Sequence, residues 1–152
     1  MTGKLAGIAR HAQPKGPMET VAQVAVSTAE GVHGDFRGGL ASTKPGRTRQ
    51  VSLIEADCVA AAMAEAGALV DWSECRRNLL VTGIRIPRAA GTQVQVGTSL
   101  VIEITDECNP CERMEALHPG LLAALTPDWR GGFLGRVIED GEIAVGDEIR
   151  VL

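Results

Sequence analysis

Aromatic residues are scarce in this sequence. Trp72, Trp129, Phe36 and Phe133 make up 3% of the chain, and tyrosine is absent. So few rings exclude a stacking platform for single-stranded nucleic acid. A formal net charge of −4 argues against nucleic acid as a partner of any kind. No apolar run approaches the ~20 residues of a membrane span, and Met1-Thr2-Gly3-Lys4-Leu5 lacks the apolar region of a signal peptide. The reading is a cytoplasmic chain with no membrane partner. Also missing are a Ser-His-Asp set, a Walker loop, a dinucleotide fingerprint and a His-x-x-x-His metal motif.

What is present is ordinary in bulk and uneven in detail. The 152 residues suit one domain spanning 1–152, and size scaling gives it a folded surface of roughly 7,400 Å². Apolar content of 45% and charged content of 22% are globular values. Eighteen glycines among short Val, Ile and Thr runs imply many turns between short strands. In a reducing compartment Cys58, Cys75, Cys108 and Cys111 are thiols or ligands before they are disulfides.

Charge is segregated along the chain. Arg37 to Arg49 holds four cations and no acid, and Cys75 to Ile102 holds Arg76, Arg77, Arg85 and Arg88, again with no acid. From Glu103 onward eleven acids face four arginines. Twelve of the fifteen cations are arginine, whose planar fork suits phosphate and carboxylate. Two acid-free basic stretches suggest a pocket for a small anionic ligand; a solvated basic surface is the plain alternative.

Alternation of apolar residues predicts strands over Lys4–His11 and Thr20–Thr28, separated by the turn-rich Gln13-Pro14-Lys15-Gly16-Pro17. Glu30–Arg49, with five glycines and Pro45, reads as a long loop. Arg49–Ile54 reads as a strand, Glu55–Ala66 as a helix ending at Gly67, and Asn78–Thr82 as a buried strand. Gly91 to Ile102 and Gly141 to Leu152 echo each other as turn, strand, glycine turn, strand. The expectation is a mainly β barrel with one longer helix and one or two short ones.

Thr105-Asp106-Glu107-Cys108-Asn109-Pro110-Cys111-Glu112-Arg113-Met114 follows the β-rich Leu100–Ile104. Asn109 suits an N-cap, Pro110 the first helical position, and Glu112 completes a capping box. Cys111 then falls in the first turn of a short helix, where unpaired N–H groups favour a thiolate, which is both a nucleophile and a soft metal ligand. Four readings stand: a zinc site, a dithiol redox pair of Cys108 and Cys111, a single functional Cys111, or two inert buried thiols. His33 and Asp35 in Gly31-Val32-His33-Gly34-Asp35 form a neighbouring imidazole and carboxylate, although glycine-flanked Asp35 and Asp147 equally suit turns. His11 and His118 have no evident partner.

In order along the chain, Gly31-Val-His-Gly-Asp35, Arg49-Gln-Val-Ser-Leu-Ile-Glu55, Arg76-Arg-Asn-Leu-Leu-Val-Thr-Gly-Ile84, Gly91 to Gly97, Pro110-Cys111, and Gly132-x-x-x-Arg136-Val137 through Gly146-Asp147 resemble the MOSC domain, the module named for the C-terminal part of molybdenum cofactor sulfurases. The resemblance implies the short, stand-alone class and a β-barrel related to the barrel domain of pyruvate kinase. It also implies a site for the molybdenum cofactor (molybdopterin), with Cys111 binding molybdenum or carrying sulfur. Some relatives reduce N-hydroxylated compounds. By motif position and side-chain chemistry, Arg47, Arg49, Arg76 and Arg77 would contact phosphate and pterin. Gln50 and Asn78 would meet the pterin edges, and His33 and Asp35 would border the substrate side, as catalytic companions of Cys111. No pyridoxal phosphate is expected. An oxidoreductase of this kind needs a separate electron-donor protein, and a non-catalytic persulfide or cofactor carrier needs a sulfur donor; a Cys108–Cys111 dithiol protein is the further alternative.

Overall fold

The structure, a computed structural model, describes residues 1–43 and 48–152, with only the backbone described for 41–43. Arg47, expected as a phosphate contact, lies outside the described residues, as does Lys44. The accessible surface is 7109 Å², close to the value set by chain length.

Seven strands close into a mixed barrel. They are β1 (Thr2–Arg10), β5 (Val51–Glu55), β6 (Leu79–Thr82), β7 (Gln93–Val96), β8 (Leu100–Glu107), β9 (Phe133–Glu139) and β11 (Glu148–Val151). Their order is β11-β7-β8-β9-β5-β6-β1, and β11 returns to β1 through Thr2↔Arg150, Gly3↔Ile149 and Lys4↔Glu148. Among the described strands only β5 and β6 pair in parallel, joined by a connection that contains α2 (Ala56–Ala66). Closure leaves the main sheet without two free edges. A short β2 (Glu19–Thr20) pairs with β1, and a separate ribbon joins β10 (Gly141–Ala144), β3 (Gln23–Ser27) and β4 (Gly31–Val32).

Inward-facing Leu5, Ile8, Leu53, Leu79, Val94, Ile102, Phe133 and Ile149 fill the barrel. A second cluster, Ile54, Val59, Ala62, Met114, Leu121 and Leu125, packs α2 against α3 (Glu112–Leu117) and α4 (Leu121–Leu125) on its outside. That contact puts α3, and so the cysteine segment, beside the end of β5.

Four expectations about local structure are corrected or refined. Glu30–Arg49 is not a loop throughout: it contains β4 and α1 (Phe36–Thr43). Its glycines serve close packing as well as turning, since a Cβ on Gly38 would lie 2.5 Å from Glu30 O. The expected strand Thr20–Thr28 is split between two sheets; Val21 N donates to Ile8 O in β1, and thereafter β3 pairs with β10. The echoing segments are each strand, glycine turn, strand as expected, but their pairing differs: β7 and β8 form a hairpin, whereas β10 and β11 belong to different sheets. Finally, the short helix starts two residues later than its capping pattern predicts. Cys108 N donates to Gly132 O (2.9 Å), which keeps 108–110 alongside the start of β9, so Cys111 and not Asn109 is the N-cap residue.

Candidate anion site

One end of the barrel opens into a cavity of about 420 Å³. Five segments supply its described cations. Lys15 comes from the turn after β1, Arg37 from α1, Arg49 from the approach to β5, and Arg76 and Arg77 from the link between a 3-10 turn (Trp72–Cys75) and β6. Arg113 in the first turn of α3 is the sixth. No acidic residue is among the described lining residues. His11, Phe36, Leu40, Met114 and Cys111 contribute to the remaining wall.

Arg76 and Arg77 are consecutive and both reach the cavity, although neighbours in an extended strand point to opposite faces. The backbone resolves this: Arg76 is left-handed at φ 63°, ψ 40°. A non-glycine residue held there is strained, and strain of this kind gathers at functional sites. Arg77 is 4% exposed, and its fork is fixed by Nε donating to Gly131 O (2.8 Å) and one terminal nitrogen donating to Cys75 O (2.7 Å). Burial, followed by the nearby Arg113 and Arg37, pushes the Arg76 guanidinium below its ordinary range. Burial does the same for Arg49, with Arg37 and Arg77 adding to the effect and the Cys108 thiol opposing it. Crowded cations with no acid among the described lining residues raise the local positive potential, which suits an anion.

Cys111 is exposed and borders this cavity; Cys108, three residues earlier, is 2% exposed. Among the described residues no three of His, Cys, Asp and Glu gather as a metal cluster, and all four cysteines are free. The arrangement therefore offers one accessible sulfur beside many positive charges.

Of the other residues expected at the site, Asp35 stands behind the wall. Its Oδ1 accepts from His11 N (3.1 Å) and its Oδ2 from Gly38 N (3.3 Å), so it caps α1 and holds the end of β1. His33, Gln50 and Asn78 do not line the cavity. The His33 ring sits 2.9 Å from Ser27 Oγ and 3.3 Å from Glu30, because β4 pairs with β3 and carries it to the ribbon. Gln50 donates to Thr28 O and accepts from Val137 N, both at 2.8 Å. Asn78 accepts from Ser52 N and donates to Ala9 O. Both amides stitch strands together with buried polar groups satisfied by backbone.

Sequence reasoning missed His11, Lys15 and Arg113 as wall residues. His11 directly follows β1 and is only 6% exposed; its Nδ1 lies 3.3 Å from Asp35 Oδ1, outside hydrogen-bonding geometry, and makes no hydrogen bond among the described residues. No sequence signal marks these three, since each joins the site only when the barrel closes.

Fold and site together define a small barrel protein with an arginine-lined cavity bordered by an exposed thiol. The chain belongs to the MOSC domain family, whose sequence model matches residues 32–150. The fold is shared with the YuaD protein from Bacillus subtilis, with TM-score 0.82 and 19% identity over 99% of this chain and 96% of that one. YiiM from Geobacillus stearothermophilus gives TM-score 0.70 and 17% identity, covering 99% of this chain and 75% of that one. YiiM from Escherichia coli gives 0.64 and 13%, covering 100% of this chain and 70% of that one. No curated protein sequence matches the chain. Among the described residues no helix is long and apolar enough to cross a membrane.

Proposed function

We propose that this protein binds the molybdenum cofactor, with Cys111 as the protein ligand to molybdenum and the surrounding cations holding the cofactor's phosphate and pterin. One observation carries the reading: an exposed thiol shares a cavity with six cations and no described acid. The residues present fit such a guest. A soft thiolate suits molybdenum, and arginine forks suit phosphate.

When bound, the cofactor supplies two-electron oxygen-atom chemistry, and removal of oxygen from an N-hydroxylated small molecule is the reaction that the family membership supports. The chain's own residues do the holding. Arg49, Arg76 and Arg77 neutralise the phosphate, Arg37 and Lys15 extend the positive wall, and Cys111 anchors the metal. Reducing equivalents come from an electron donor that the barrel itself does not supply.

The test is molybdenum and pterin analysis of protein made in a host that synthesises the cofactor. Near-stoichiometric cofactor in the native chain is expected, with loss of molybdenum in Cys111→Ala and retention in Cys108→Ala. Cofactor-free protein from such a host would overturn the reading. The exposure of Cys111 favours a second reading, a persulfide carrier, which mass spectrometry would reveal as an adduct of about 32 Da on that residue after incubation with a sulfur donor.

A further inference from the structure

His11 lies outside the segment that matches the family model, and the reading above gives it no role. Its backbone is nonetheless tied on both sides, and its ring is confined between Phe36 and Asp35. Backbone N–H of His11 donates to Asp35 Oδ1 at 3.1 Å, its carbonyl accepts from Phe36 N at 2.8 Å, and the ring packs at a tilt on Phe36. Nδ1 faces Asp35, whose side chain is 1% exposed, and the ring borders the cavity.

A carboxylate facing Nδ1 keeps the proton of the neutral ring on that nitrogen, because a lone pair there would oppose the negative oxygen. Nε2 of the neutral ring is then an acceptor, on the side away from Asp35. An acceptor is tolerable beside arginines, but it repels an oxyanion. To donate to such a guest, Nε2 must take a proton. We propose that His11, oriented by Asp35, is an anion-binding residue of the cavity that takes up one proton from solvent when a doubly charged oxyanion enters. No other bond is made or broken.

The charged groups facing the ring agree with this direction. Burial holds the free imidazole below its ordinary value; Asp35 at the start of α1 opposes this, while Arg76 before β6, Arg37 in α1 and Arg49 before β5 add to it. Lys15 and Arg113 complete the wall with the same sign. An anion among those guanidinium groups cancels the repulsion they exert on a protonated His11. The inference deepens the reading of this cavity as an anion site, and its test needs no cofactor.

Sulfate is the probe, since its charge is constant across the range in which histidine titrates. Its affinity for the intact chain is measured at fixed ionic strength between about pH 6 and 8, while the His11 ring resonances are followed. The expected result is an affinity that falls with rising pH by up to about tenfold per unit, the limit for one coupled proton, and a His11 midpoint that moves up on saturation. His11→Gln should bind sulfate more weakly and lose the slope, whereas Arg85→Ala, at an exposed site outside the cavity lining, should keep it. A slope lost in Cys111→Ser but kept in His11→Gln would assign the proton to that thiol and overturn the proposal. Asp35→Asn should retain binding with a shallower slope, because the ring can then present N–H to the cavity without gaining a proton. If His11→Gln fails to fold, the His11 resonance in the native chain and Asp35→Asn still decide. Absence of sulfate binding, a slope unchanged in His11→Gln, or a His11 midpoint indifferent to sulfate overturns the proposal. A slope retained in a protein that never carries cofactor would sink only the cofactor reading, and cofactor loading without the slope would sink only this one.

Discussion

Cys108 and Cys111 occupy opposite environments although only two residues separate them. Cys108 is sealed beneath the junction of β8 and β9, with its N–H tied to Gly132 O, whereas Cys111 stands exposed at the start of α3. The difference assigns them different jobs and makes them separable by experiment. Cys108→Ser places a hydroxyl where the chain has an apolar sulfur, at an expected cost of about 1–3 kcal/mol. Cys111→Ser should leave stability within about 0.5 kcal/mol. Denaturant titration of the two variants checks this, and a large loss in Cys111→Ser would show that its sulfur is part of the packing. At this scale the basic stretches and the Pro110-Cys111 pair were legible, because like charges without acids and a thiol near a helix start are local patterns. Gln50 and Asn78 misled because a buried amide that braces two strands is indistinguishable in sequence from one that reads a ligand. Only the hydrogen bonds to Val137, Thr28, Ser52 and Ala9 tell them apart.

Elements were legible where their pattern was self-contained. The helix over Ala56–Ala66 ends at Gly67 in the left-handed conformation its position predicts, alternation marked β1, and short apolar or glycine-bounded runs marked β5, β6, β7 and β8. Patterns failed where a distant partner sets the local conformation, as when the β9 edge delays α3. The connection from β6 to β7 shows such a partner at work. Glu55, at the end of β5, accepts from both terminal nitrogens of Arg88 at 2.7 Å and from Ile86 N at 2.7 Å, while Arg88 lies 5.2 Å from the Phe133 ring centre. Glu55 is 4% exposed, so removing its partner strands a charge. Arg88→Ala should therefore cost about 3–5 kcal/mol. Arg85→Ala, which breaks an exposed pair with Asp128, should be close to neutral by the same thermal or denaturant measurement. Similar losses from the two substitutions would mean that the Glu55–Arg88 pair is not the clasp of this connection.

For the whole molecule, β1 joins stability to the site. Its first residues close the barrel against β11, its middle buries Leu5 and Ile8, and its end delivers His11 to the cavity. A barrel was expected from the sequence, but the seam that closes it was not legible, since pairing of residues 2–4 with 148–150 spans nearly the full chain and has no local signature. The seam and the cavity lie toward opposite ends of this strand, so they should be separable. Ile149 is fully buried and pairs with both Gly3 and Val96. Ile149→Ala removes apolar volume at the seam and should destabilise the fold by about 2–5 kcal/mol. Below its melting temperature the variant should bind sulfate with the affinity of the native chain, because every cavity cation rests on an element other than β11. Paired measurements of unfolding and sulfate binding check this. A parallel loss of affinity in the still-folded variant would mean that the barrel transmits strain from seam to cavity along β1, and that the cationic wall is shaped by closure itself.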